Sequence, residues 1–120
     1  MDRGVGRAGT RDGSTRSLHV TRDELEARWF VLTRETMPSL AGSRNWPVRF
    51  DHCFQRILLD NASGGKWSDT IPAPAYRNAP SEVLERALSL AEATIAGELD
   101  LAVLNNQSLD WRGKRKRPGL

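Results

Sequence analysis

From Thr21 onward the apolar residues fall at helical intervals. Leu25, Trp29, Leu32 and Thr36 share one face of a first helix. The capping box Thr21-Arg22-Asp23-Glu24 opens it and Pro38 closes it. Phe30 and Val31 lie off that stripe, so the helix is expected to meet neighbours on two sides. A second helix follows Trp46-Pro47, where proline suits a first turn. In it Phe50, Cys53, Phe54, Ile57 and Asn61 share a face, Leu58 widens that face, and Gly64-Gly65 ends the run.

A third helix runs from about 81 to 96 and stops at Gly97. Val83, Leu84, Ala87, Leu88, Leu90, Ala91 and Ile95 cover so broad an arc that this helix should be wedged between two others. A shorter fourth helix over about 98–109 turns Leu101, Leu104 and Leu109 inward. Residues 62–79 form one long ordered loop, extended around Ala73-Pro74-Ala75. A strand at 66–71 fits the local residues but has no partner strand. The pattern predicts an all-α fold, a small irregular or orthogonal four-helix domain over 18–111.

The flanks differ in kind. Residues 1–17 hold four Gly and four Arg with no apolar period, and such a segment does not bury enough surface to offset its ordering entropy. It is expected to be a disordered tail. It also lacks the apolar stretch of a secretory signal, and no run in the chain approaches the roughly 18 apolar residues of a membrane span. Cys53 is the only cysteine, which rules out an internal disulfide and suits a reducing compartment. A cytoplasmic location is therefore expected.

Charge changes the picture once it is divided along the chain. The net charge is +3, but residues 18–111 carry 9 basic and 13 acidic residues, a net of −4. The excess of cations belongs to 1–17 and to a basic C-terminal tail over 112–120, with Arg112, Lys114, Arg115, Lys116 and Arg117. Such a run binds polyanions without sequence choice.

Four tryptophans are many for 120 residues. Trp46, Trp67 and Trp111 each have Arg or Lys within a few positions, a pairing that either stacks on bases or anchors a core edge. Arg49, His52, Arg56 and Asp60 recur at intervals of three and four, which makes one polar stripe on the second helix. That stripe reads either as a solvated face with an Arg56–Asp60 pair or as an anion site built from two guanidinium groups and an imidazole. Asn61 sits on the apolar face and is expected to hydrogen bond the loop backbone at 62–79. His52 and Cys53 are adjacent, but helical neighbours point about 100° apart. Cys53 is expected in the core rather than beside a base. His19, His52 and Cys53 have no zinc-ligand spacing, so no metal site and no catalytic residue are assigned.

Three segments carry a resemblance: Trp46-Pro47-Val48-Arg49-Phe50-Asp51-His52-Cys53-Phe54, Pro74-Ala75-Tyr76-Arg77 and Ser108-Leu109-Asp110-Trp111-Arg112-Gly113-Lys114. Over about 46–114 the chain resembles a family of small uncharacterised microbial proteins often labelled GCN5-related N-acetyltransferase. That label implies an α/β acetyltransferase with acetyl-CoA as its cofactor.

Read from the residues themselves, the function expected is a small helical binding module for an anionic ligand, a nucleic acid or a protein partner, with no cofactor. Its candidate ligand-binding residues are Arg49, His52, Arg56, Asn61, Trp67, Tyr76, Asn105, Trp111 and Arg112. The nucleic-acid tail is Lys114, Arg115, Lys116 and Arg117. The alternative is a small acetyl-CoA-dependent transferase with a site lined by Arg49, His52, Tyr76 and Asn105. Any nucleic-acid affinity should reside in 112–117, where five neutralised phosphates give a log–log salt slope of up to about −4.5 on duplex DNA. Titration of the full chain, and of a chain lacking 113–120, at two salt concentrations checks this: the truncation should abolish binding without moving the melting temperature.

Overall fold

Thr21 opens the first helix by the reciprocal bonds its spacing predicts. Its hydroxyl accepts from the Glu24 N–H at 3.1 Å, and the Glu24 carboxylate accepts from the Thr21 N–H at 2.9 Å. A computed structural model describes residues 21–114, which are predominantly helical and contain no strand. No described helix is long and apolar enough to cross a membrane. The elements are α1 (Arg22–Val31), a π-helical turn (Leu32–Thr36), α2 (Met37–Ala41), α3 (Asp51–Ser63), a 3₁₀ turn (Trp67–Asp69), α4 (Ala75–Asn78), α5 (Ser81–Ile95) and α6 (Leu101–Trp111).

Pro38 does not end the first helix. The chain winds on to Ala41 because one wide turn precedes the proline, closed by the Met37 N–H on the Leu32 carbonyl five residues back. A proline has no N–H to give and needs clearance from the preceding turn, and the wide turn supplies that clearance. It also advances the buried face by one residue. Leu25, Trp29 and Leu32 are buried as the spacing predicts, but the next inward positions are Met37 and Ala41, and Thr36 is only half-buried. Phe30 packs edge-on against Tyr76, whereas Val31 is exposed.

The second predicted helix starts later than Pro47. Residues 42–50 run irregularly while Trp46 packs edge-on against Phe54, with ring centroids 5.7 Å apart. Arg44 covers this stretch and donates to the carbonyls of Thr94 and Ile95 at the end of α5. Anchoring Trp46 to the core delays the helix to Asp51. Phe50 consequently lies outside the expected apolar face at 65% exposure, and Cys53 is half-buried rather than in the core. Phe54, Ile57 and Leu58 are fully buried.

α3 is central, packed against α5, α6 and the π turn, and α5 also packs against α1. This is the wedged position expected of the third helix, and Ala87 and Ala91 on its buried face let the neighbouring backbones approach. Residues 66–71 contain the 3₁₀ turn Trp67–Asp69 and no strand, and the loop also contains the short α4. α6 begins at Leu101, capped by the Asp100 carboxylate on the Ala102 N–H at 2.9 Å, and reaches Trp111.

Three helices end in the same way, α3 at Gly64, φ 76°, with the Gly65 N–H on the Asp60 carbonyl at 3.1 Å. At α5 the Glu98 N–H reaches the Ala93 carbonyl at 2.8 Å across a left-handed Gly97, φ 84°. At α6 the Lys114 N–H reaches the Leu109 carbonyl at 2.8 Å across Gly113, φ 67°. Gly113 and Lys114 thus belong to the folded domain, and Arg112 does as well. A truncation that spares α6 removes 115–120 only, and with Arg112 engaged internally four tail cations give a slope of up to about −3.6. Residues 1–17 and Arg115, Lys116 and Arg117 lie outside the described residues.

No neighbouring atom lies within 4 Å of a Cβ placed on Gly97 or on Gly65, and only Gly97 has a left-handed backbone. Gly97→Ala should therefore lower stability by about 1 kcal/mol, while Gly65→Ala should be neutral or slightly stabilising. Urea denaturation midpoints of the two variants measure the difference.

Candidate functional site

α3 presents Arg56 and Asp60 one turn apart toward α6, and α6 answers with Asn105, Ser108 and Arg112 at the same period. Asp60 has no exposed surface. Its Oδ2 accepts from Ser108 Oγ at 2.6 Å and from Arg112 Nε at 2.6 Å. Its Oδ1 accepts from Arg112 Nη2 at 3.0 Å and from the Trp67 backbone N–H at 2.9 Å. Both carboxylate oxygens are thereby saturated, as a buried charge requires. The expected Arg56–Asp60 pair is not formed, because Arg112 occupies Asp60 side-on.

Arg56 instead donates to Ser108 Oγ at 2.7 Å through Nη1 and to Asn105 Oδ1 at 2.9 Å through Nη2. Ser108 therefore stands between the two, accepting from Arg56 and donating to Asp60. Among the described residues Arg56 has neutral partners only. The hydrogen bond to Asp60 raises the Arg112 pKa above its ordinary value; burial opposes this, and the charges of Asp60 and Asp69 add to it. Arg112 stays charged throughout the working pH range.

Arg56 and Arg112 face a cleft of about 480 Å³ whose wall also includes Trp29, Phe30, Arg34, His52, Gln55, Trp67 and Tyr76. Several wall residues have an identifiable support. Trp67 is held through its own backbone by Asp60. Tyr76 is held by Arg22, which donates to the Tyr76 carbonyl at 2.8 Å and to Ser81 Oγ at 3.1 Å, joining α4 and α5 to α1. Gln55 donates to Thr33 Oγ1 at 3.0 Å, and Thr33 donates to the Trp29 carbonyl at 2.8 Å beside the π turn. Arg34 lies 3.9 Å over the Phe30 ring, with its Nε 3.9 Å from the Asp51 carboxylate at the mouth. No protein family, curated protein or solved structure matches this chain.

Of the nine candidate ligand-binding residues, His52, Arg56, Trp67, Tyr76 and Arg112 line this cleft. Asn105 is buried behind it and orients Arg56. Arg49 and Trp111 are exposed outside it. Asn61 does not bond the 62–79 loop: its Nδ2 donates to the Leu104 carbonyl of α6 at 3.0 Å and to the Ile57 carbonyl. The loop is gathered by the neighbouring residue, Asp60. Of the four residues named for a transferase, His52 and Tyr76 meet at the cleft and Arg49 does not. Without a strand among the described residues, an α/β scaffold does not build this cleft. No group of three metal-ligating side chains occurs among the described residues.

Sequence reasoning missed Arg34, Gln55 and Ser108, and placed Asp60 on the polar stripe as the partner of Arg56 rather than in the core. A signal for Ser108 was present: Leu101, Leu104, Asn105, Ser108 and Arg112 form one continuous helical stripe, polar at its C-terminal end.

Removing one partner of a buried pair leaves the other uncompensated. Asp60→Ala should lower stability by about 3–5 kcal/mol. The same change in an Arg112→Ala background should cost less, with a coupling of about 0.5–3 kcal/mol. Chemical denaturation of the two single variants and the double variant closes the cycle.

Proposed function

We propose that this protein is a small helical binding module that takes an anionic ligand in the cleft between α1, α3, α4 and the end of α6. The observation that carries the reading is Arg56. Its guanidinium is half-buried, faces the cleft and has only Ser108 and Asn105 as partners among the described residues. A partly desolvated cation with neutral partners lacks a counter-charge, and a bound carboxylate or phosphate supplies one through short charge-assisted hydrogen bonds. Arg112 stands on the same wall and His52 at the rim. The cleft size lies within the range of small-molecule sites, and its lining mixes aromatic rings with a few polar groups, as such sites do.

The support is a single concave site and not an extended basic surface. Residues 21–114 carry 11 basic and 13 acidic residues, a net of −2, so a polyanion meets a mildly unfavourable long-range field over the folded part. Any nucleic-acid binding is assigned to the C-terminal cations.

NMR titration with the probe 2-naphthoate, following the Trp67 indole N–H, tests this reading. Saturable shifts are expected, and Arg56→Ala should weaken binding by about tenfold or more, the worth of a charge-assisted hydrogen bond. Arg49→Ala, outside the cleft, should leave it unchanged. Equal affinity in the Arg56→Ala protein, shown to be folded by its melting curve, would sink the assignment.

A further inference from the structure

The charges on the inner wall of the cleft do not suit every anion. Arg112 is committed: its Nε and Nη2 lie 2.6 and 3.0 Å from the two oxygens of the Asp60 carboxylate. Asp60 compensates Arg112 directly and Asp69 acts on Arg112 from farther off, so no more than one positive charge is left uncompensated on this wall, and Arg56, with its neutral partners, carries it. At the mouth Arg34 lies 3.9 Å from Asp51, so the cations there are partly matched already. A dianion would bring its second charge into a half-enclosed space with Asp60 nearby and no unmatched inner cation to receive it. Desolvation of that second charge would go uncompensated.

Arg56 retains the donors a carboxylate uses. Nη1 and Nη2 each give one hydrogen to the protein. The Nε–H and the second hydrogen on each Nη have no partner among the described residues. Two parallel N–H groups on one edge of a guanidinium match the two oxygens of a carboxylate.

The remaining walls are flat and apolar. Phe30 and Tyr76 meet edge-on with centroids 4.8 Å apart and planes at 64°, Trp67 stands on the Asp60 side, and the buried Trp29 closes the floor. With Arg34 over Phe30 and Trp29 buried, Trp67 and Tyr76 are the rings that offer a planar body a surface to lie against.

We infer that the ligand is a monoanion: a single carboxylate, seated on Arg56, carried by a flat aromatic body that lies against Trp67 and Tyr76. The inference rests on the anion-binding reading above and narrows it. Asp60 sets the selectivity, because it cancels one of the two inner cations.

Calorimetric titration of the full chain at about pH 8 with 2-naphthoate, 2-naphthyl phosphate, 2-naphthamide and acetate separates the possibilities, since an aryl phosphate is a dianion well above its second pKa of about 6. Naphthoate should bind at least about tenfold more tightly than each of the other three. Arg56→Gln should remove its advantage over the amide while the melting curve still shows a folded protein. Naphthyl phosphate binding as tightly as naphthoate would overturn the monoanion inference and leave anion binding standing. Acetate matching naphthoate would overturn the flat body. An amide that matches naphthoate, or no saturable binding by any probe, would remove the anion-binding reading itself and this inference with it.

Discussion

The Asp60 carboxylate lies in the last turns of α3, where the helix dipole disfavours a negative charge, and it has no contact with water. Two things hold it there: the bidentate Arg112 from the end of α6, and the Ser108 hydroxyl with the Trp67 N–H. Every one of these bonds also places something else. Arg112 fixes the last turn of α6, Trp67 brings the 62–79 loop back over α3, and Ser108 presents its lone pair to Arg56. The cleft is what remains between the groups that Asp60 has gathered. A core residue and an organiser of the binding wall are here the same side chain.

This arrangement gives the α3–α6 interface an unusual character. α6 packs chiefly on α3, and two of its three buried residues, Asn105 and Ser108 beside Leu101, are polar. Apolar packing is tolerant of small rotations, because contacts slide over one another. A face held by Asn61 on the Leu104 carbonyl, Arg56 on Asn105 and Arg112 on Asp60 has one angular setting only. Such bonds add little net stability compared with burial of equal area. They define position instead, which a site with a lone cation needs.

The helices were legible in the sequence because periodicity reports the side of a helix that leaves water. The capping box at Thr21, the wedged arc of the third helix and the glycine stop at Gly97 are local signals, and local bonds satisfy them. The cleft was legible in its parts: Arg56, His52, Trp67, Tyr76 and Arg112 were marked by residue type. Their assembly was not, since periodicity does not tell a polar residue facing solvent from one facing a second polar helix. Asp60, one turn beyond Arg56, read as its surface partner for that reason. Asn61, one position on, took the loop-binding role that belongs to Asp60. The helix boundaries at Pro38 and Pro47 misled through rules that long-range packing overrides: a wide turn in one case and the anchoring of Trp46 in the other.

The wide turn at Leu32–Thr36 also decides where this chain can change its length. It contains one residue more than the α-helical register needs, and the faces on either side, Trp29 with Leu32 and Met37 with Ala41, are brought back into line by it. A variant of this chain one residue shorter at this point, without the proline, would hold the same two faces inward with an unbroken helix. The interior of the first helix, between residues 32 and 36, therefore accepts a change of length of the kind usually confined to loops.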